Sequence, residues 1–141
     1  MKNILIDTDV ILDFFFDRKP FSDQAAVILS LCETNRINGF ITPVICSNVY
    51  YLLRKTATHG KVVEKLRLLL NFINVLTIDK EIIIEALSSG FSDFEDALQN
   101  FSATTAGSID AIVTRNVKDF SKSQLGVFTP EDFLRTLINK E

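Results

Sequence analysis

Five aspartates of this chain have the type and spacing to take part in metal chemistry. Asp7, Asp9 and Asp13 lie in the opening stretch "NILIDTDVILD", and Asp93 and Asp96 lie in "DFEDAL". Carboxylate oxygens without accompanying His or Cys suit Mg²⁺ or Mn²⁺. An ion bound in this way can activate water and neutralise charge on a leaving oxygen, as in many nucleases and phosphatases.

Other polar residues follow predicted strands and could join this group. Asp7 directly follows an apolar run, Asn48 lies about a turn and a half into the helix after the second strand, and Asn116 closely follows the fourth. Asp119 comes three residues later. In open parallel α/β sheets, ligands bind outside the carboxyl ends of the strands. We therefore expect a site there, with Asp13 as an exposed helix acid or a rim group.

Asp96 has two possible environments. It lies off the apolar face of its predicted helix, on a stripe of small residues with Asn100, Ala103 and Gly107. Such a stripe allows close approach to another element, which would place the acid at a packed edge near a strand end. Alternatively, Asp96 is a surface acid that stabilises the positive end of its helix.

The charge of the chain is unevenly distributed. The formal net charge is −3, yet 54–67 carries five Lys or Arg and one Glu, whereas 79–110 carries seven acids and one Lys. This segregation favours a local positive face, although solvated helix surfaces would look the same. Arg115 and Lys118 flank the proposed site and are the candidates for binding a nucleic acid, which carboxylates alone would repel.

The elements that must position these residues alternate between strand and helix. Continuous apolar runs predict buried parallel strands, at 3–6, 39–42, 73–78, 111–114 and 126–129. Helices are predicted between and after them, and Ser92 with Glu95 forms a possible capping box for the helix that carries Asp96. The predicted fold is a three-layer α/β/α sandwich with a central, mostly parallel five-stranded sheet.

Composition excludes several classes of protein. The 141 residues, 47% of them hydrophobic, suit one domain covering 1–141, and the apolar runs are too short to span a bilayer. The N-terminus lacks the apolar segment of a signal peptide, so we expect a soluble, cytoplasmic protein without membrane contact. Cys32 and Cys46 are expected to be buried and reduced, and the single His59 argues against a zinc site.

Three segments together resemble a known family. "ILIDTDVILDFFFDRKPF", "DFEDALQ" and "AIVTRNVKDF" are similar, in order and spacing, to the PIN-domain family. The resemblance is greatest to its VapC-like branch, the toxin ribonucleases of toxin–antitoxin pairs, and it covers nearly the whole chain. Each segment is degenerate by itself, and their common register makes the signal specific.

The resemblance implies roles for individual residues. Asp7 and Asp96 match the metal-binding acids of the family, and Asn116 takes the place of an acid that is often Asp. Asp93 and Asp119 are further candidate ligands. The residues expected to support these groups are Thr8, Asp9 and Thr114.

The sequence departs from the family at Asn48, where a Glu is typical. No acid occurs between Glu33 and Glu64, so a shifted register cannot supply one. Fewer carboxylates should weaken Mg²⁺ binding. The leading hypothesis remains a Mg²⁺- or Mn²⁺-dependent ribonuclease acting on single-stranded RNA through Asp7, Asp96, Asn116 and Asn48.

Two alternatives to a ribonuclease remain open. Loss of the family's Glu is compatible with a degenerate, non-catalytic module that binds nucleic acid or protein. "DTDVIL" also loosely matches the start of haloacid-dehalogenase-like phosphatases, in which Asp9 would act as a general acid. For the toxin hypothesis, the resemblance implies RNA as substrate, a small antitoxin protein as partner and a homodimer.

Overall fold

Five short strands form one parallel sheet within residues 2–138, the part of the chain that this computed structural model describes. Their order is β3-β2-β1-β4-β5, and each neighbouring pair is parallel. The strands are β1 (Asn3–Ile6), β2 (Asn38–Ile41), β3 (Ile73–Val75), β4 (Ala111–Val113) and β5 (Gly126–Phe128). The chain therefore winds outward from β1 in one direction and then returns to β4 on its other side.

Seven α-helices cover the sheet in the described range 2–138. They are α1 (Thr8–Phe15), α2 (Ser22–Glu33), α3 (Pro43–Leu53), α4 (His59–Leu70), α5 (Lys80–Leu87), α6 (Phe94–Ala106) and α7 (Pro130–Ile138). Contacts link α1, α2, α3, α4 and α7 into one group, whereas α5 packs on α6, which contacts a short 3-10 helix, Val117–Phe120. The predicted α/β fold with a parallel five-stranded sheet is confirmed.

The middle of the sheet forms the centre of the hydrophobic core. Ile4, Leu5 and Ile6 of β1 are fully buried, as is Ile112 of the neighbouring β4. Both faces of these strands are covered, which explains why their sequences are apolar without alternation. This rigid centre fixes the positions of the residues that follow β1 and β4.

The predicted element boundaries differ from the observed ones mainly at the end of β3 and at the beginning of α6. The third strand was predicted over 73–78, but its ladder ends at Val75. The predicted capping box at Ser92 is wrong: Asp93 is the N-cap of α6, and its Oδ1 accepts a hydrogen bond from the Asp96 N–H at 3.0 Å. Ser92 and Asp93 are both good N-cap residues, and the backbone path into α6 selects the second.

Asp13 is not the exposed acid that the sequence predicts. It is completely buried in α1, where its carboxylate forms ion pairs with two guanidinium groups. Arg18 Nε lies 3.0 Å from Oδ1, and Arg115 contacts both carboxylate oxygens, at 2.7 Å and 3.1 Å. The two cations compensate the cost of burying the charge.

We expect Asp13→Asn to lower the free energy of unfolding by about 3 kcal/mol, because the amide leaves the two arginines without their shared anion. Urea unfolding at neutral pH measures this difference. The matched control is Asp23→Asn, since Asp23 forms an exposed ion pair with Lys19 and its loss should cost at most about 0.5 kcal/mol. Equal effects of the two substitutions would contradict a structural role for the buried pair.

Candidate functional site

Asp7 occupies the point at which the winding of the sheet reverses. β1 and β4 are neighbours in the sheet although they are distant in sequence, and ligands of open α/β sheets bind at such a switch point. The Asp7 N–H donates to the Val113 carbonyl at 3.0 Å, which extends the pairing of the two strands. The Thr114 hydroxyl donates to Asp7 Oδ2 at 2.8 Å. The ends of both strands therefore hold this carboxylate.

Asp7 is also the N-cap of α1, with Oδ1 accepting from the Thr8 N–H at 2.8 Å. Burial raises the pKa of Asp7, although the hydrogen bonds from Thr114 and Thr8 oppose the increase. The charges of Asp119 and Glu95 raise this pKa further. The carboxylate is fixed in direction and keeps acceptor capacity for one more group.

Asp96, in the first turn of α6, faces the same region. Burial raises its pKa to about 7, and the charges of Asp93, Asp7, Asp119 and Glu95 contribute to the increase. Coulombic effects of this kind require that the acids lie near one another. Asp96 is half-buried and lines one cavity with Asp7, and it also lies in the first turn of α6, so features of both environments that the sequence allowed are present.

One cavity of about 360 Å³ collects most of the predicted site residues. Its lining carboxylates are Asp7, Asp9, Asp93, Glu95, Asp96 and Asp119, and its lining amides are Asn48, Gln99 and Asn116. Thr8 and Arg115 also line it, whereas Thr114 lies buried behind Asp7. Lys118 lines a neighbouring cleft of about 150 Å³ that shares Asp119 with the main cavity.

Three polar lining residues were not found from the sequence. Gln99 carried a detectable signal, because it follows Asp96 by three residues and therefore lies on the same side of α6. Glu95 precedes Asp96 directly, which alone does not predict that both face one cavity. Arg18 lies in the connection between α1 and α2, and no spacing pattern relates it to the acids.

Asp9 connects the cavity to the residues after β4. Its Oδ2 accepts hydrogen bonds from the Arg115 N–H at 3.2 Å and from Asn116 Nδ2 at 3.0 Å. Burial raises the pKa of Asp9 to about 6, and the Asp7 charge adds to this. Within residues 2–138, no donor reaches the buried Oδ1 of Asp9. The group therefore retains an unused acceptor beside the other acids.

The donor set of this cavity fits a hard divalent cation. In the described part of the chain, no group of three or more His, Cys, Asp or Glu side chains converges closely enough to hold a metal ion as a protein cage. Mg²⁺ does not require such a cage, since it keeps several waters and binds through one or two carboxylates together with substrate phosphate. The free Asp9 oxygen and the oxygen-only lining match this mode of binding.

Two arginines form a cationic rim beside the acids, and both are held by the buried Asp13. Arg18 and Arg115 line the cavity, and the Arg115 guanidinium also stacks on Phe21, with Cζ 4.2 Å from the ring centroid. Two cations share one anion, so the rim keeps a net positive charge. An arginine that is held in this way loses less side-chain entropy when it binds a phosphate.

Comparison with known proteins now decides the family. A family model described as "PIN domain" matches residues 3–118, which is most of the chain. The chain belongs to the PIN-domain family. The resemblance noted in the sequence is confirmed, and membership of this family removes the haloacid-dehalogenase-like alternative.

Individual relatives lie in the VapC-like part of the family. The chain is 23% identical over 137 residues to "Ribonuclease VapC1" of Aquifex aeolicus, with 94% of this chain and 93% of that protein covered. A toxin–antitoxin complex from Klebsiella pneumoniae is similar in structure, with a TM-score of 0.68 and 22% identity over 90% of this chain and 97% of that chain. VapBC2 from Rickettsia felis, bound to a DNA fragment from its promoter, has a TM-score of 0.64 and 15% identity, covering 89% and 96%.

Among residues 2–138, no helix is both long enough and apolar enough to cross a membrane.

We expect the metal-free protein to become more stable as the pH is lowered from about 8 to about 5. The folded pKa values of Asp9 and Asp96, about 6 and about 7, exceed the usual 3.8. The folded state therefore binds more protons than the unfolded state in this window, and stability falls as pH rises through it. Urea unfolding with EDTA at both pH values measures the effect.

Asp96→Asn should flatten this pH dependence, because an amide does not titrate. Asp132→Asn is the control, since Asp132 is an exposed acid of α7 that pairs with Arg135. A pH dependence that is the same in the Asp96 variant and the wild type would contradict the raised pKa.

Proposed function

We propose that this protein is a Mg²⁺- or Mn²⁺-dependent ribonuclease that cleaves single-stranded RNA, as the toxin of a toxin–antitoxin pair. The observation that carries the proposal is the gathering of six carboxylates around one cavity at the switch point of the sheet. A family relative that bears the name of a ribonuclease supports the choice of reaction. When bound, the metal ion would supply activation of water and neutralisation of charge on the leaving oxygen.

Each protein group has a separate task in this proposal. Asp7 and Asp96 hold the ion, because both point into the cavity from rigid element ends. Asp119 is exposed and lines the same cavity, so we propose it as a further ligand. Asp93 already accepts the helix-capping hydrogen bond and contributes mainly through its charge.

The amide and hydroxyl groups keep the carboxylates in place and orient water. The side-chain amide of Asn116 donates a hydrogen bond to Asp9. The backbone N–H of Asn116 donates to the Thr114 hydroxyl oxygen at 3.0 Å. Thr8 and Thr114 hold Asp7. Asn48 lines the same cavity from α3.

The cationic rim would receive the RNA backbone. Arg18 and Arg115 lie at the cavity wall, so a phosphate next to the scissile bond could bind them while the acids hold the ion. Lys118, exposed in the adjacent cleft, would extend this track. Phosphate contacts of this kind position the strand and carry no sequence information.

A small antitoxin protein is the partner that we propose. The structural neighbours named above are a toxin–antitoxin complex and VapBC2. An apolar groove of about 510 Å³ lies between α1, α2 and α4, and its exposed lining includes Phe14 and Leu68. Exposed apolar surface of this kind marks protein interfaces, so an apolar segment of the antitoxin would fit there. A homodimer remains a prediction, which sedimentation of the purified protein tests.

We expect Asp7→Asn and Asp96→Asn each to reduce Mn²⁺-dependent cleavage of single-stranded RNA by at least about 100-fold, because loss of a ligand should exceed the effect of losing an outer partner. Asn keeps the capping bond of Asp7, so the first change removes the charge and the hydrogen bond that Oδ2 accepts from Thr114. Asp132→Asn should cleave like the wild type. Full activity of both site variants would refute the assignment, and a folded wild type that neither cleaves RNA nor responds to Mn²⁺ would favour a non-catalytic binding module.

Arg18→Gln should weaken binding of a single-stranded oligonucleotide and reduce the slope of log K against log salt by about 0.7, the value for one lost phosphate contact. Binding is measured by fluorescence anisotropy in the Asp7→Asn background, because this substitution prevents cleavage during the titration. Arg36→Gln is the control, because Arg36 is exposed just before β2. It therefore lies at the amino ends of the strands, whereas the proposed site lies at their carboxyl ends. The same salt slope in the Arg18 and Arg36 variants would contradict the proposed rim.

A further inference from the structure

The carboxylate that is missing from α3 has a counterpart on α6. Asn48 stands on α3 at the position where the family typically has a Glu, and its Nδ2 donates to Glu95 Oε1 at 2.7 Å. The two residues are 47 positions apart in sequence. The side chain that faces the cavity from α3 is therefore an amide that holds an acid of α6.

Glu95 lies within the acidic cluster. It lines the same cavity as Asp7 and Asp96. Burial is the main cause of the raised pKa of both aspartates, and the Glu95 charge is one of the further causes in each case. Glu95 is therefore close enough to both proposed ligands to add its charge to theirs.

A buried hydrogen bond also links α3 to α6 beside the pair of Asn48 and Glu95. Thr42, the N-cap of α3, accepts a hydrogen bond from the Ile45 N–H at 3.1 Å and donates its hydroxyl to Gln99 of α6. Thr42 and Gln99 are both buried. Their bond sets the beginning of α3 against the first turns of α6.

Helix capping does not account for the placement of Glu95. Asp93 is the N-cap of α6 and already accepts the Asp96 N–H. An acid in the first turn also stabilises the positive helix end, and Glu81 has this position in α5. Glu95 differs from Glu81 because Asn48 fixes its carboxylate on the wall of the cavity.

We propose that Glu95, oriented by Asn48, supplies to the divalent-cation site the carboxylate that α3 lacks. The site then takes its acids from the end of β1 and from two consecutive residues of α6, Glu95 and Asp96. Asn48 acts as a positioning residue for Glu95. This inference rests on the proposed metal-dependent function and adds a ligand group to it.

The test measures Mn²⁺ affinity in the absence of RNA, by electron paramagnetic resonance of free Mn²⁺ during titration. Glu95→Gln should raise the dissociation constant by about tenfold, because the amide keeps the size of the side chain and removes its charge. Glu81→Gln is the matched control and should bind Mn²⁺ like the wild type. Circular dichroism confirms that each variant is folded.

A double-mutant cycle separates positioning from simple packing. Asn48→Leu should weaken Mn²⁺ binding about threefold to tenfold when Glu95 is present and change it little in the Glu95→Gln background, since the two residues act through one hydrogen bond. Moving the carboxylate back to α3, in Asn48→Glu combined with Glu95→Gln, should restore affinity to within about threefold of the wild type. A structural role for Asn48 alone would not produce this rescue.

The outcomes distinguish this inference from the proposed function. If the wild type binds Mn²⁺, Asp96→Asn abolishes binding and Glu95→Gln binds like the wild type, then Glu95 is not part of the site and the ribonuclease proposal stands. If the wild type does not bind Mn²⁺, both fail. Support requires weakened binding in Glu95→Gln, unchanged binding in Glu81→Gln and rescue in the double variant.

Discussion

Repulsion among carboxylates at one edge of the sheet is the constraint on which the remainder of this structure depends. Burial and neighbouring negative charges raise the pKa values of Asp7, Asp9 and Asp96 together. The fold opposes this cost with oriented donors, among them the Thr114 hydroxyl on Asp7 and the Asn48 amide on Glu95. In the proposed function, a bound divalent cation would remove most of this repulsion.

The topology determines which residues can share the cavity. Because the sheet order reverses between β1 and β4, Asp7 and Thr114 meet although 107 positions separate them. α6 begins beside this point and contributes several acids from its first turn. The buried Asp13 then fixes two arginines at the rim, so that acids and cations are placed next to each other without neutralising each other completely.

Much of this arrangement could be predicted from the sequence. The apolar runs located the strands, and the acid directly after β1 pointed to Asp7, whereas Asp96 was assigned through the family resemblance. The burial of Asp13 could not be predicted, because the residues on both sides of it in "VILDFFF" are apolar. Such a segment does not show which face of a short helix is buried. Glu95 and Arg18 were missed because their placement depends on tertiary contacts with α3 and α1, which local spacing does not encode.

The most direct measurement for the central claim is a crystal of the wild-type protein soaked in Mn²⁺, with anomalous diffraction data collected at the manganese edge. If the cavity binds a divalent cation as proposed, we expect an anomalous peak within coordination distance of carboxylate oxygens of Asp7 and Asp96. A map with no peak in this cavity at saturating Mn²⁺, or with peaks only at other surface acids, would contradict it.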